Sequence, residues 1–100
     1  MRGTTRKLLT VICEAGLESR LAEDVMRLGA HGYTVTDARG RGSRGVRNAA
    51  WDTAANIRLE VVCEEHIAQR IIEHLQERYY DNFAMILFTE NVEVLRPQKF

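Results

Sequence analysis

Two apolar stripes at helical spacing, each set between short runs of strand-forming residues, constrain this chain more than any other feature. Leu17, Leu21, Val25 and Leu28 follow one another at intervals of four, four and three, and Ile67, Ile71, Leu75 and Tyr79 at intervals of four, so each set lines one face of a helix. Gly29 and Gly32 close the first helix, while Glu64 and Glu65 open the second, where carboxylates face the positive end of the helix dipole. Residues 7–13 (KLLTVIC) predict a buried strand stopping at Glu14-Ala15-Gly16, and residues 33–37 (YTVTD) a second strand of alternating, β-branched character. Residues 57–63 (IRLEVVC) place Ile57, Leu59 and Val61 on one strand face. Residues 83–88 (FAMILF) are continuously apolar, as expected of a strand covered on both sides, and residues 92–95 predict a short final strand before Pro97. The order β-α-β-β-α-β predicts an α+β, ferredoxin-like sandwich, one sheet with two helices on one face.

Length and composition set the remaining bounds. One hundred residues with no internal repeat predict a single domain over 1–100, and 45% hydrophobic with 28% charged residues is the composition of an ordinary globular domain. Fourteen basic residues balance fourteen acidic ones, so any preference for an anion must come from local clustering. The chain has no apolar run of the roughly 20 residues that span a bilayer, and residues 1–7 are basic without an apolar stretch behind them, which leads us to expect a cytoplasmic protein without membrane insertion. Cys13 and Cys63 form no CxxC. They read as buried free thiols, although a ferredoxin-like order allows them to end adjacent parallel strands as a redox pair.

The clustering lies between the second and third strands. Residues 38–56 connect them through nineteen residues, where a hairpin commonly uses about 2–5, and a loop of such length is usually functional or disordered. Within it, residues 39–47 (RGRGSRGVR) hold four arginines and three glycines. Gly40-Arg41-Gly42-Ser43-Arg44-Gly45 fits G-x-G-x-x-G literally, but residues 48–56 (NAAWDTAAN) are too short for the crossover helix that a dinucleotide site requires. The physics of the motif survives that exclusion. Closely spaced glycines let backbone N–H groups converge on an anion, and Arg39, Arg41, Arg44 and Arg47 can add bidentate contacts to phosphate. A solvated basic loop without a ligand is the plain alternative.

Other chemistries find less support. A ferredoxin-like RNA-binding domain would need aromatic residues on its third strand, and residues 57–63 have none. His31, His66 and His74 are scattered and read as exposed histidines rather than metal ligands. Ser43 has no histidine near it in sequence, and Glu14, Asp37 and Glu60 form no acid/base pair. We therefore expect no enzyme and no metal, while an RNA-binding domain and a small nucleotide-hydrolysing enzyme remain the alternatives.

The residues also carry a family resemblance. Gly32-Tyr33-Thr34-Val35-Thr36-Asp37-Ala38-Arg39-Gly40-Arg41-Gly42-Ser43-Arg44 resembles the second strand and T-loop entry of PII signal-transduction proteins. It is most similar to the PII-like proteins of bacterial inorganic-carbon metabolism, the carboxysome-associated and bicarbonate-transporter-associated groups, and the order of elements agrees over 7–96. The resemblance implies a homotrimer with AMP or ADP, or else ATP or cyclic AMP, in clefts between subunits, and bicarbonate as co-ligand. Its T-loop, 38–56 here, would order on binding and so control inorganic-carbon uptake or fixation through a bicarbonate transporter or a carboxysome component. Carried over by position, Thr34 lies at the adenosine end, Gly40 and Gly42 let the backbone approach phosphate, and Arg41, Ser43, Arg44 and Arg47 contact phosphate. Arg44 and Arg47 also hold bicarbonate, and Arg96 reaches phosphate from the C-terminal side.

The chain departs from conventional PII proteins in three places. Residues 79–83 (YYDNF) replace their glycine-rich loop with its lysine, Arg44 replaces the glutamine through which they bind Mg-ATP and 2-oxoglutarate, and 38–56 contains no tyrosine to be uridylylated. The cysteine-containing extension of some bicarbonate-transporter-associated relatives is not found after Phe100. These differences move the expected phosphate grip onto the loop arginines and argue against 2-oxoglutarate sensing.

Overall fold

The strict alternation of residues 57–63 separates two environments, and the whole architecture follows from it. A computed structural model describes residues 3–40 and 55–100. It runs β1 (Thr4–Glu14), a 3-10 turn (Ala15–Leu17), α1 (Glu18–Arg27), β2 (Thr34–Ala38), β3 (Asn56–Cys63), α2 (Glu65–Tyr79), β4 (Ile86–Val94) and a second 3-10 turn (Pro97–Lys99). The strands form one antiparallel sheet in the order β2-β3-β1-β4, so the fold is the ferredoxin-like βαββαβ arrangement. Ile57, Leu59, Val61 and Cys63 of β3 join Leu9, Val11 and Cys13 of β1 in the core, and both predicted stripes close over them: Leu17, Leu21 and Val25 with Leu28 partly buried, then Ile71, Leu75 and Tyr79 with Ile67 partly buried. Ala68, outside the predicted stripe, is buried beside them. Each fully buried aliphatic or aromatic side chain contributes about 1.5–3 kcal/mol, which makes this one face of the sheet the main source of stability.

The opposite face carries no helix among the described residues. Register and alternation place Leu8, Thr10 and Ile12 of β1 on it, beside Arg58, Glu60 and Val62 of β3, Thr34 and Thr36 of β2, and Ile86 and Phe88 of β4. The two helices are also tied to each other. The Tyr79 hydroxyl donates to Asp24 Oδ2 at 2.8 Å, Arg27 donates to Asp24 Oδ1 at 3.2 Å, and His74 Nε2 lies 3.4 Å from Asp24 Oδ2. Burial, then the hydrogen bond from Tyr79 to Asp24 and that carboxylate's charge, push the Tyr79 phenol above its usual pKa, against a smaller opposing effect of Arg78.

Four expectations need correction. The run 83–88 is not one strand covered on both sides: Phe83 closes the end of α2 through its N–H to the Tyr79 carbonyl, Met85 is buried, and the strand starts at Ile86. Residues 92–95 form no separate strand, because β4 continues to Val94 by pairing with the polar start of β1, Thr4 to Arg6. Gly32 does not end α1, since Gly29 has already done so and Gly32 precedes β2. The cysteines do not end adjacent parallel strands. β1 and β3 are antiparallel, Cys63 pairs with Lys7 and Cys13 with Ile57, and six residues of strand at about 3.4 Å each hold the thiols far beyond disulfide reach.

Candidate functional site

At one end of the open face, the start of β2 and the centre of β3 meet the segment that follows β4. They enclose a groove of about 190 Å³, lined by Leu8, Gly32, Tyr33, Thr34, Glu60, Val62, Lys99 and Phe100. Leu8 and Val62 are direct partners in the β1–β3 ladder and give it an apolar floor. Thr34 and Glu60 are partners in the β2–β3 ladder and bring a hydroxyl and a carboxylate to its edge. Lys99 and Phe100 arrive from the far side of the sheet: β4 ends at Val94 beside Thr4, so the following residues cross the open face to reach β2 and β3.

From this groove the open face leads along β2 and β3 toward the connection between them. Thr34 pairs with Glu60, Thr36 with Arg58 and Ala38 with Asn56, and Arg58 Nε donates to Glu60 Oε2 at 3.1 Å. Thr34 and Ala38 lie four residue steps apart along β2, about 13 Å at the usual rise of a strand, comparable to the length of an extended nucleoside diphosphate. At the mouth, the Ala15 N–H donates to the Ala55 carbonyl at 2.9 Å and extends the β1–β3 ladder past Asn56.

The expected site residues divide into three groups. Thr34 lines the groove. Gly40 is exposed beyond the end of β2, and a Cβ built there would meet nothing within 4 Å among the described residues. Arg96 is exposed at the head of the second 3-10 turn and is not among the residues lining the groove. Arg41, Gly42, Ser43, Arg44 and Arg47, and Trp51 with them, lie outside the described residues.

Sequence reasoning missed Tyr33, Arg58, Glu60, Val62, Leu8, Lys99 and Phe100 as companions of Thr34. The signal was present in IRLEVVC, where naming Ile57, Leu59 and Val61 as core leaves Arg58, Glu60 and Val62 as a second, half-buried row on the opposite face. His74 is another correction. It is half-buried against Asp24 and Arg27 rather than freely exposed, whereas His66 is exposed beside Glu64. Among the described residues, no group of three or more His, Cys, Asp or Glu side chains could hold a metal ion, and no helix is long and apolar enough to cross a membrane.

Comparison with known proteins places this geometry. Residues 6–99 match the family described as nitrogen regulatory protein P-II. The crystal structure of a PII-like signaling protein from Thermus thermophilus is 49% identical and superposes with a TM-score of 0.84, covering 100% of this chain and 99% of that one. CPII from Thiomonas intermedia, bound to ADP, AMP and acetate, is 24% identical with a TM-score of 0.87, over 100% of this chain and 98% of that one. The same protein bound to ADP and bicarbonate is 24% identical with a TM-score of 0.83, over 97% and 95% of the two chains. The likeness to CPII is one of fold. A match along almost the whole chain, agreeing with the antiparallel βαββαβ sheet, establishes that the chain belongs to the nitrogen regulatory protein P-II family, as a PII-like regulatory protein.

Proposed function

We propose that residues 1–100 act as one PII-like domain, a non-enzymatic sensor that assembles as a homotrimer and binds AMP or ADP in the clefts between subunits, with bicarbonate as co-ligand. The observation that carries this reading is the alignment of the Thr34–Glu60 groove with the mouth of the 38–56 connection on one open sheet face, at a separation that suits an adenine nucleotide. The base lies at Thr34, and the phosphates extend past Arg58 toward Gly40 and Gly42. Arg41, Ser43, Arg44 and Arg47 close on phosphate, Arg44 and Arg47 also hold bicarbonate through their planar forks, and Arg96 approaches phosphate from the C-terminal side. The ligands bound to CPII support the choice of adenylates and bicarbonate.

The mechanism is coupled ordering. Fixing a residue of the connection costs about 1–2 kcal/mol, and an anion that pairs its arginines offsets that cost, so ligands shift the loop population through unequal affinity for its two states. The ordered T-loop presents Trp51 and its neighbours to a partner of cytoplasmic inorganic-carbon uptake or fixation, a bicarbonate transporter or a carboxysome component.

Calorimetry with AMP, ADP, ATP and cyclic AMP, each with and without bicarbonate, tests the reading. AMP or ADP should bind, bicarbonate should change the affinity, and Arg44→Ala and Arg47→Ala should each weaken binding by about tenfold or more, the loss of a charge-assisted hydrogen bond. Unchanged affinity in both variants removes the loop from the mechanism. Turnover of ATP, or salt-dependent binding of oligonucleotides in place of mononucleotides, would replace the sensor with an enzyme or an RNA-binding domain.

A further inference from the structure

One subunit contributes only part of the cleft assigned to the nucleotide, and the lining of its groove says which part of the ligand that share meets. Sites that bury whole drug-sized ligands measure roughly 300–1,000 Å³, and the groove of one subunit, about 190 Å³, has room for one heterocyclic base. Its floor, Leu8 and Val62, is aliphatic, so a base can stack only on a ring at the side of the groove, and Tyr33, just before β2, is one such ring in its lining. The segment after β4 supplies a second, Phe100. Pro97 opens a 3-10 turn in which the Lys99 N–H donates to the Arg96 carbonyl at 3.0 Å and the Phe100 N–H to the Pro97 carbonyl at 3.1 Å. Proline's fixed φ and these two bonds set the position of Lys99 and Phe100 before any ligand arrives, with Phe100 half-buried against the groove.

Resting on the reading of this groove as a nucleotide site, we infer that Phe100 is the stacking wall for the purine ring, with Lys99 beside it as a cation at the mouth. Residues 95–100 then do more than end the strand. They bring a second aromatic ring to a groove that otherwise offers Tyr33 alone, and they leave the phosphate end of the ligand to Arg58 and the 38–56 connection.

The test titrates the wild type, Phe100→Ala and Phe100→Trp with AMP, with ADP and with inorganic pyrophosphate, which has no base. Truncating an aromatic that stacks on a base should weaken AMP and ADP by roughly five- to 150-fold, leave pyrophosphate unaffected, and be rescued by tryptophan. Unaltered AMP and ADP affinity in Phe100→Ala overturns the inference, and tighter binding overturns it as well, because the segment would then be a plug competing with the base. Equal losses for pyrophosphate and nucleotides also count against it. A wild-type protein that binds no adenine nucleotide overturns the nucleotide reading itself, an outcome distinct from a wild type that binds and a variant that binds equally.

Discussion

Cys13 and Cys63 lie in the core on the helix-covered face of the sheet, where an ionised sulfur would have to shed its water. Burial, with a smaller push from the adjacent carboxylate of Glu14, raises the Cys13 thiol from 9.0 to about 12, and burial with Glu64 raises Cys63 from 9.0 to about 11. Because the folded-state values lie above the unfolded ones, the thiols' contribution is complete below pH 9.0 and is lost as pH rises toward 11 and 12, by about 1.4 kcal/mol per pH unit for each thiol. The urea midpoint should therefore fall between about pH 9 and pH 11. The double variant Cys13→Ala, Cys63→Ala should start lower and fall less; an equally steep profile would assign the loss to other groups. The sequence made the thiols' burial legible, since both sit on the apolar phase of their strands, but not their mutual position. Direction and register decide that, and neither follows from the pattern of a single strand. Thr34 was legible in the same limited way: its place at the head of β2 followed from YTVTD, whereas its pairing with Glu60 depends on the β2–β3 register.

At the scale of the element, the helices were the most readable part, because a four-residue stripe tolerates no other backbone. Their ends depend on finer chemistry. α1 stops at Arg27, after which the Gly29 N–H donates to the Met26 carbonyl at 3.2 Å and the Ala30 N–H to the Val25 carbonyl at 3.0 Å, a Schellman cap that carries Ala30 into the core. Gly29 holds φ at 122°, and a Cβ there would lie 2.7 Å from Ile67 Cδ1 of α2. Gly29→Ala should thus cost about 1–3 kcal/mol from backbone strain, plus whatever displacing Ile67 adds, read as a lowered urea midpoint. A variant as stable as the wild type would mean that the cap can open without loss. β4 was the least readable element. Six consecutive apolar residues suggest a strand with two buried faces, yet the first of them finish the α2 exit and only the last three enter the sheet. A run of hydrophobic letters records that burial occurs, not which partner provides it.

The partner missing from β4 belongs to the scale of the whole molecule. Ile86 is 51% and Phe88 41% exposed, directly opposite Ile12 and Thr10 on the face without helices, while Leu87 between them packs against the core. Thr10 beneath them is fully buried, and its Oγ1 has no partner among the described residues. One hydrophobic face thus stabilises the subunit, and a second, smaller one remains open to a neighbour. If this face packs at the centre of the proposed trimer, burying the exposed half of Ile86 and Phe88 contributes about 1 kcal/mol per side chain to assembly. A lysine at position 88 would then place three like charges about the axis. Phe88→Lys should run as a single subunit by light scattering where the wild type runs at about threefold that mass. It should keep its far-ultraviolet dichroism, because the core on the helix side is untouched. Nucleotide affinity should fall as the trimer is lost if, as proposed, each cleft draws residues from two subunits, whereas a site built from one chain alone would be indifferent to it. A wild type that runs as one subunit would refute the trimer outright. A Phe88→Lys trimer that forms normally would place the interface elsewhere and leave the apolar row on β4 to a different partner.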